Sequence, residues 1–254
     1  ESPLYTMPKP AFFADLDKPV ADLFSENFYG SLNKFVFKAK AADSTRVEVK
    51  GDRNPAGAIK SEFLMGRVFK RDDVEYDLSS KVGLDGKLTM TSSVTNFVDG
   101  LRTEISGTTN VNGTKVADQT GSALLKYRND NLALVTKLDA ERSGKLTVTS
   151  SATTGYENFT LGAEVAVDSV KVSSDSGAKV KNAFKYNIGA AYNGGDHLVT
   201  FRTFENMNTF AVGYWHELNN TTEVGSTFTH KMADDSNVTA LVCRQKLSKN
   251  SLDP

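Results

Sequence analysis

The residues that could do chemistry are present, but their spacing does not suit it. Gly107 to Lys115, ending Asn112-Gly113-Thr114-Lys115, resembles a phosphate loop, yet the run is one residue too long and its lysine follows the threonine. A hairpin turn is the better reading. His197, His216 and His230 fall in separate strand-like runs, with no carboxylate at ligand spacing, so no metal and no cofactor is expected. Cys243 is the single cysteine, which excludes an internal disulfide and a thiolate metal site. It has no histidine partner in a nucleophile motif, and no serine sits in a nucleophile elbow. These residues point away from an enzyme.

What remains is charge set at a period of two. Lys34, Lys38 and Lys40 alternate with Phe35, Phe37 and Ala39, and Arg46, Glu48 and Lys50 alternate with Val47 and Val49. Glu75 and Asp77 alternate with Val74, Tyr76 and Leu78, and Arg102 and Glu104 with Leu101, Thr103 and Ile105. Such strands have one apolar and one charged face. Similar runs centre on Leu132 to Leu138, Leu146, Phe159 to Val165, Phe184 to Tyr192, Phe210 to Tyr214, Val224 to Phe228, and Val238, Ala240 and Val242. Asp85-Gly86, Asn112-Gly113, Asn129-Asp130-Asn131, Ser143-Gly144, Gly194-Gly195, Asn219-Asn220 and Asp234-Asp235 fall where short reversals are needed. The count is about 15 strands.

The elements that hold this charge are bounded by composition. The chain has 254 residues, 39% hydrophobic and 24% charged, which suits a folded protein, and its net charge of -1 does not suit a nucleic-acid binder. No run approaches the roughly 20 apolar residues of a membrane-spanning helix, but barrel strands alternate and so escape that test. Of the six prolines, Pro3, Pro8, Pro10, Pro19 and Pro55 lie near the start and Pro254 at the end. A long proline-free body suits continuous ladders that need every backbone N–H. The expected division is a head over 1–31 and a β-barrel over 32–254.

In the head, Phe12, Leu16, Val20, Leu23 and Phe24 recur at helical spacing. Pro19 is expected to break this helix near Lys18, or to start a second short one capped by Asp17 or Lys18, and Gly30 to act as a hinge. The apolar stripe is expected on the inner wall of a wide barrel, presenting Asp15, Lys18, Asp22 and Glu26 to water. A surface helix would carry more lysine and arginine. The fold expected is an all-β transmembrane antiparallel barrel facing membrane lipid. A soluble β lipid-binding or structural protein is the alternative, separable by carbonate extraction.

The segments Ala14-Asp15-Leu16-Asp17-Lys18 and Ala21-Asp22-Leu23-Phe24, Gly30, and the first strand Lys34 to Lys40 resemble the start of the mitochondrial voltage-dependent anion channels. Gly100-Leu101-Arg102 is similar to the Gly-Leu-Lys triplet that opens the family's sixth strand. The resemblance implies a barrel of about 19 strands in the mitochondrial outer membrane with the helix inside the pore. It also implies passive, voltage-gated exchange of ATP, ADP, phosphate, organic anions and small ions, with homo-oligomers or other outer-membrane proteins as possible partners. Lys18 is then the helix cation offered to nucleotides, and Lys34, Lys38, Lys40, Arg46, Lys50 and Arg102 are the pore-lining charges. Ala21 and Glu26 stand where the family commonly has basic residues, and Leu78 stands where some members have a membrane-facing glutamate. The last strands of the 19 are expected to be missing. The translocase barrel of the same membrane, which imports precursor proteins, is the alternative function.

Overall fold

Threonine, valine and aromatic residues at alternate positions favour strands, and Asx turns reverse the chain between them. The computed structural model describes residues 9–25, 33–53, 59–110, 119–169 and 184–245. A 3₁₀ turn, Phe13–Asp15, precedes helix α1, Lys18–Ser25. The strands are β1 (Asn33–Lys40), β2 (Thr45–Arg53), β3 (Ile59–Arg71), β4 (Val74–Gly83), β5 (Lys87–Thr95), β6 (Leu101–Asn110), β7 (Thr120–Arg128) and β8 (Leu132–Glu141). They continue as β9 (Leu146–Tyr156), β10 (Phe159–Asp168), β11 (Phe184–Asn193), β12 (His197–Phe204), β13 (Thr209–Asn219), β14 (Thr222–Lys231) and β15 (Ser236–Gln245). All 15 form one antiparallel meander in chain order, with β1 and β15 as its edges among the described residues.

The turns use the expected residues. Asp85 Oδ1 accepts the Lys87 amide at 3.0 Å, and Asn129 Oδ1 accepts the amides of Asn131 and Leu132 at 3.0 and 2.7 Å. Gly100 opens β6 under a different constraint. Its φ is +74°, and a Cβ there would lie 2.0 Å from the Arg128 carbonyl oxygen. Only glycine lets the β5–β6 turn press against the end of β7. Asn112-Gly113 lies outside the described residues.

Pairing sorts the side chains into two faces. Phe35, Phe37, Met65, Leu78, Met90, Ile105, Phe159 and Leu161 share the outer face and are exposed, as a lipid-facing surface requires. Toward the end of the strands that carries the β3–β4 and β11–β12 turns, this face becomes aromatic. Phe69 stacks on Tyr76 with centroids 5.1 Å apart, and Phe159, Tyr192, His197, His216 and Tyr214 form a chain with ring separations of 4.9 to 6.1 Å. Rings near strand ends suit the membrane–water boundary. His197 and His216 are therefore neighbours across β12 and β13, a relation that spacing along the chain does not reveal. In β15, register reverses the expectation from hydropathy. Val242 pairs with Gly225 on the inner face, together with Val238 and Ala240, while Leu241 points outward.

Candidate pore lining and the helix seated on it

The head begins where Pro10 packs near Gly155 and ends with α1 against β13, β14 and β15. The 3₁₀ turn lies against β9 and β10. Pro19 is the second residue of α1, where its missing N–H costs nothing, and the Asp17 carbonyl accepts the Ala21 amide at 2.9 Å. A second short helix after Asp17 is thus the form taken. Within residues 11–25 the buried side chains are Phe13, Leu16, Val20 and Leu23, each at most 2% exposed. Phe13 replaces Phe12 in the expected stripe, because a 3₁₀ turn has about three residues per turn and aligns position 13 with 16. Phe24 packs beside this cluster.

Glycines make the seat. A Cβ on Gly162 would lie 2.9 Å from Phe13, one on Gly189 2.9 Å from Leu16, one on Gly213 3.3 Å from Val20 and one on Gly225 2.7 Å from Leu23. These positions on β10, β11, β13 and β14 all face inward, so the wall is carved to the depth of the helix. An eight-residue helix is unstable alone in water, and burial of these side chains, about 2 kcal/mol each, holds it.

Polar contacts fix its direction. Arg202 Nη1 donates to Asp17 Oδ1 at 2.7 Å, and the Arg202 guanidinium lies 4.9 Å from the Phe13 ring centroid. Thr153 Oγ1 donates to the Ala11 carbonyl at 2.5 Å, and Arg128 Nη2 to the Lys9 carbonyl at 2.7 Å. Lys126 and Arg128 of β7 lie 5.4 and 5.7 Å from the Phe12 centroid, so two cations meet this ring. Alternation places Arg202, Arg128 and Thr153 inward, but nothing along the chain links them to residues 9–17. The pairing is visible only in three dimensions.

Asp15, Lys18 and Asp22 face the lumen, with Lys18 Nζ 3.6 Å from Asp22 Oδ2. Glu26 and Gly30 lie outside the described residues, as does the side chain of Lys34, whose backbone pairs with Asp52. The other expected lining cations are inward and mostly compensated. Lys38 and Lys50 flank Glu48 at 3.4 and 3.3 Å, and Arg102 meets Glu104 at 3.1 Å. Arg46 reaches across β3 to both oxygens of Asp77 at 2.8 and 2.9 Å, over Gly66, where a Cβ would lie 2.9 Å from its Nε. Lys40 has no ion pair among the described residues. Lys38 and Lys50 share one carboxylate and Lys40 has none, so the pairs localise the field of this wall while cations stay in excess on it.

The geometry is that of a wide barrel wall with a wet, charged interior, an apolar exterior and a helix on its inner face. A Rh. blastica porin carrying three substitutions shares this fold, with 10% identity, a TM-score of 0.59, and 84% of this chain covering 89% of that one. A structure titled for asymmetric conductivity of engineered proteins aligns at 8% identity and a TM-score of 0.47, covering 84% of this chain and 96% of that one. Omp33 of Acinetobacter baumannii aligns at 9% identity and a TM-score of 0.34, covering 82% and 99%. No curated protein matches the chain in sequence. The eukaryotic porin family model matches residues 9–252, nearly the whole chain. The chain belongs to the eukaryotic porin family, pore-forming channels of an outer membrane.

Proposed function

We propose that this porin is a voltage-gated channel of the mitochondrial outer membrane that passes ATP, ADP, phosphate, organic anions and small ions by diffusion. The observation that carries the reading is the head seated within the lumen by Phe13, Leu16, Val20 and Leu23, which narrows the pore and offers Lys18 to permeants. A barrel of family size has a backbone diameter of roughly 35–40 Å, so a nucleotide passes even beside a helix. Lys18 attracts phosphate groups, while Asp15 and Asp22 oppose them. The paired charges on β1 to β6 weaken any long-range preference for one sign. Selectivity is then set near α1.

Planar-bilayer recording under a KCl gradient tests this directly. Large steps that partly close as voltage rises, with ATP reducing the current, support it. A refolded β-rich protein that inserts but never conducts would overturn it.

A further inference from the structure

The outer face carries a groove of about 720 Å³ across β3 to β6, within the roughly 300–1,000 Å³ range of small-molecule sites. Its walls are Leu78, Met90 and Ile105, and its floor is kept low by Ser92 and Gly107. At one end stands Arg67, which pairs with Thr45, the first residue of β2, on the outward face. The groove thus runs from the rim of the sheet into its apolar band, and the Phe69–Tyr76 stack marks the membrane boundary beside it. A cation at that depth with an apolar trough beneath it matches a molecule with a phosphate at one end and a hydrocarbon chain at the other.

Charge around the rim narrows the class. Arg67 has no ion pair within 4 Å among the described residues, but it lies close enough to Asp43 to favour that carboxylate's ionised form, after the stronger effect of the Thr45 amide and hydroxyl bonded to it. Asp72 and Asp73 crowd the adjoining β3–β4 turn, and Arg71 is already 3.7 Å from Asp72. Among the described residues, the outward side of this rim sets Arg67 beside several acids, a poor site for an anionic headgroup. It suits a headgroup whose negative phosphate is followed by a positive amine.

We propose that the groove binds a zwitterionic glycerophospholipid, with its phosphate on Arg67, its amine toward Asp43 and one acyl chain along Ser92 and Gly107. The site depends on the outer face meeting lipid but not on what the pore conducts. Two variants probe its two ends. Arg67→Gln removes the phosphate contact. Gly107→Leu fills the floor, and a Cβ there meets nothing within 4 Å, so the strand accepts it.

The full chain and its variants are to be reconstituted in vesicles of equal phosphatidylcholine, phosphatidylethanolamine and phosphatidylglycerol. Each is then extracted into mild detergent and weighed by native mass spectrometry. The expected result is retention of one zwitterionic phospholipid in preference to phosphatidylglycerol, reduced about tenfold by either variant. Thr136→Leu, on the outer face of β8, leaves retention unchanged. Retention of phosphatidylglycerol as strongly, or wild-type retention by Arg67→Gln and Gly107→Leu, overturns the proposal while leaving the channel reading intact. Failure of the wild type to enter the vesicles overturns both.

Discussion

The wall from β9 to β15 and the wall from β1 to β6 are made by the same antiparallel ladder, yet their inner faces do opposite things. One is stripped of side chains at Gly162, Gly189, Gly213 and Gly225 and receives the helix. The other is crowded with charge, paired across strands at Lys38–Glu48 and Arg46–Asp77 and along a strand at Lys50–Glu48 and Arg102–Glu104. The first buries apolar groups inside a wet lumen, and the second keeps charges fixed in water. A porin needs both, since a pore with only charged walls has nothing to hold a helix, and one with only apolar walls has no field for ions.

Filling the seat is the strongest way to erase the difference. Val at both Gly189 and Gly225 places atoms where Leu16 and Leu23 lie, at about 1–3 kcal/mol per site. The head then becomes open to thermolysin in reconstituted protein, with cleavage in residues 13–25 accelerated about a hundredfold. An unchanged cleavage rate would show that the glycines do not hold it. Leu23→Ala, at a side chain with no exposure, costs about 2–4 kcal/mol of docking by the same assay, while Leu241→Ala on the exposed outer face changes it by less than about 0.5 kcal/mol.

Ion pairs sharpen the contrast at smaller scale. In double-mutant cycles, Asp17→Asn with Arg202→Gln couples by about 1–2 kcal/mol, because Arg202 is largely covered and stacked on Phe13. Arg46→Gln with Asp77→Asn couples by less than about 1 kcal/mol, since both side chains meet water. Equal couplings would mean that the helix adds no shielding. Lys18→Glu moves the reversal potential toward cation preference, and Lys38→Gln, already balanced by Glu48, moves it less. The reverse order would place the selective field on the strand wall.

The smallest effect comes from turns outside both walls. His197 hydrogen bonding holds the Asp196 carboxyl below its ordinary value, and the Ser236 hydroxyl does the same for Asp234. A carboxylate with a lowered folded pKa stabilises the fold above the ordinary value of 3.8 and loses that contribution as pH falls through the lowered one. Thermal melts of Asp196→Asn and Asp234→Asn should match wild type below that window and fall slightly short of it at neutral pH. A deficit that persists in acid would assign the effect to packing instead.

Much of this was legible from alternation. Strand number, the inward direction of Lys38, Arg46, Lys50 and Arg102, and the outward Leu78 all follow from a period of two, because a barrel wall has one wet and one dry face. The seat was not legible, since a glycine in a strand shows no hydropathy signal and its meaning depends on what lies above it. Four inward glycines, on β10, β11, β13 and β14, are the trace it leaves in the sequence. Phe13 and β15 misled for another reason: both follow a period, but the 3₁₀ turn and the edge register shift its phase. The partnership of Asp17 with Arg202 spans 185 positions and has no local sign at all.

The glycine seat also changes how that side of the wall resists deformation. Cross-strand side-chain pairs stiffen a sheet, and at Gly162–Gly189 two facing positions offer none. There the helix supplies the missing contacts, with Phe13 and Leu16 bridging β10 and β11. Whatever loosens the helix therefore softens the strands beneath it, and whatever strains those strands weakens their hold on the helix by the same free energy.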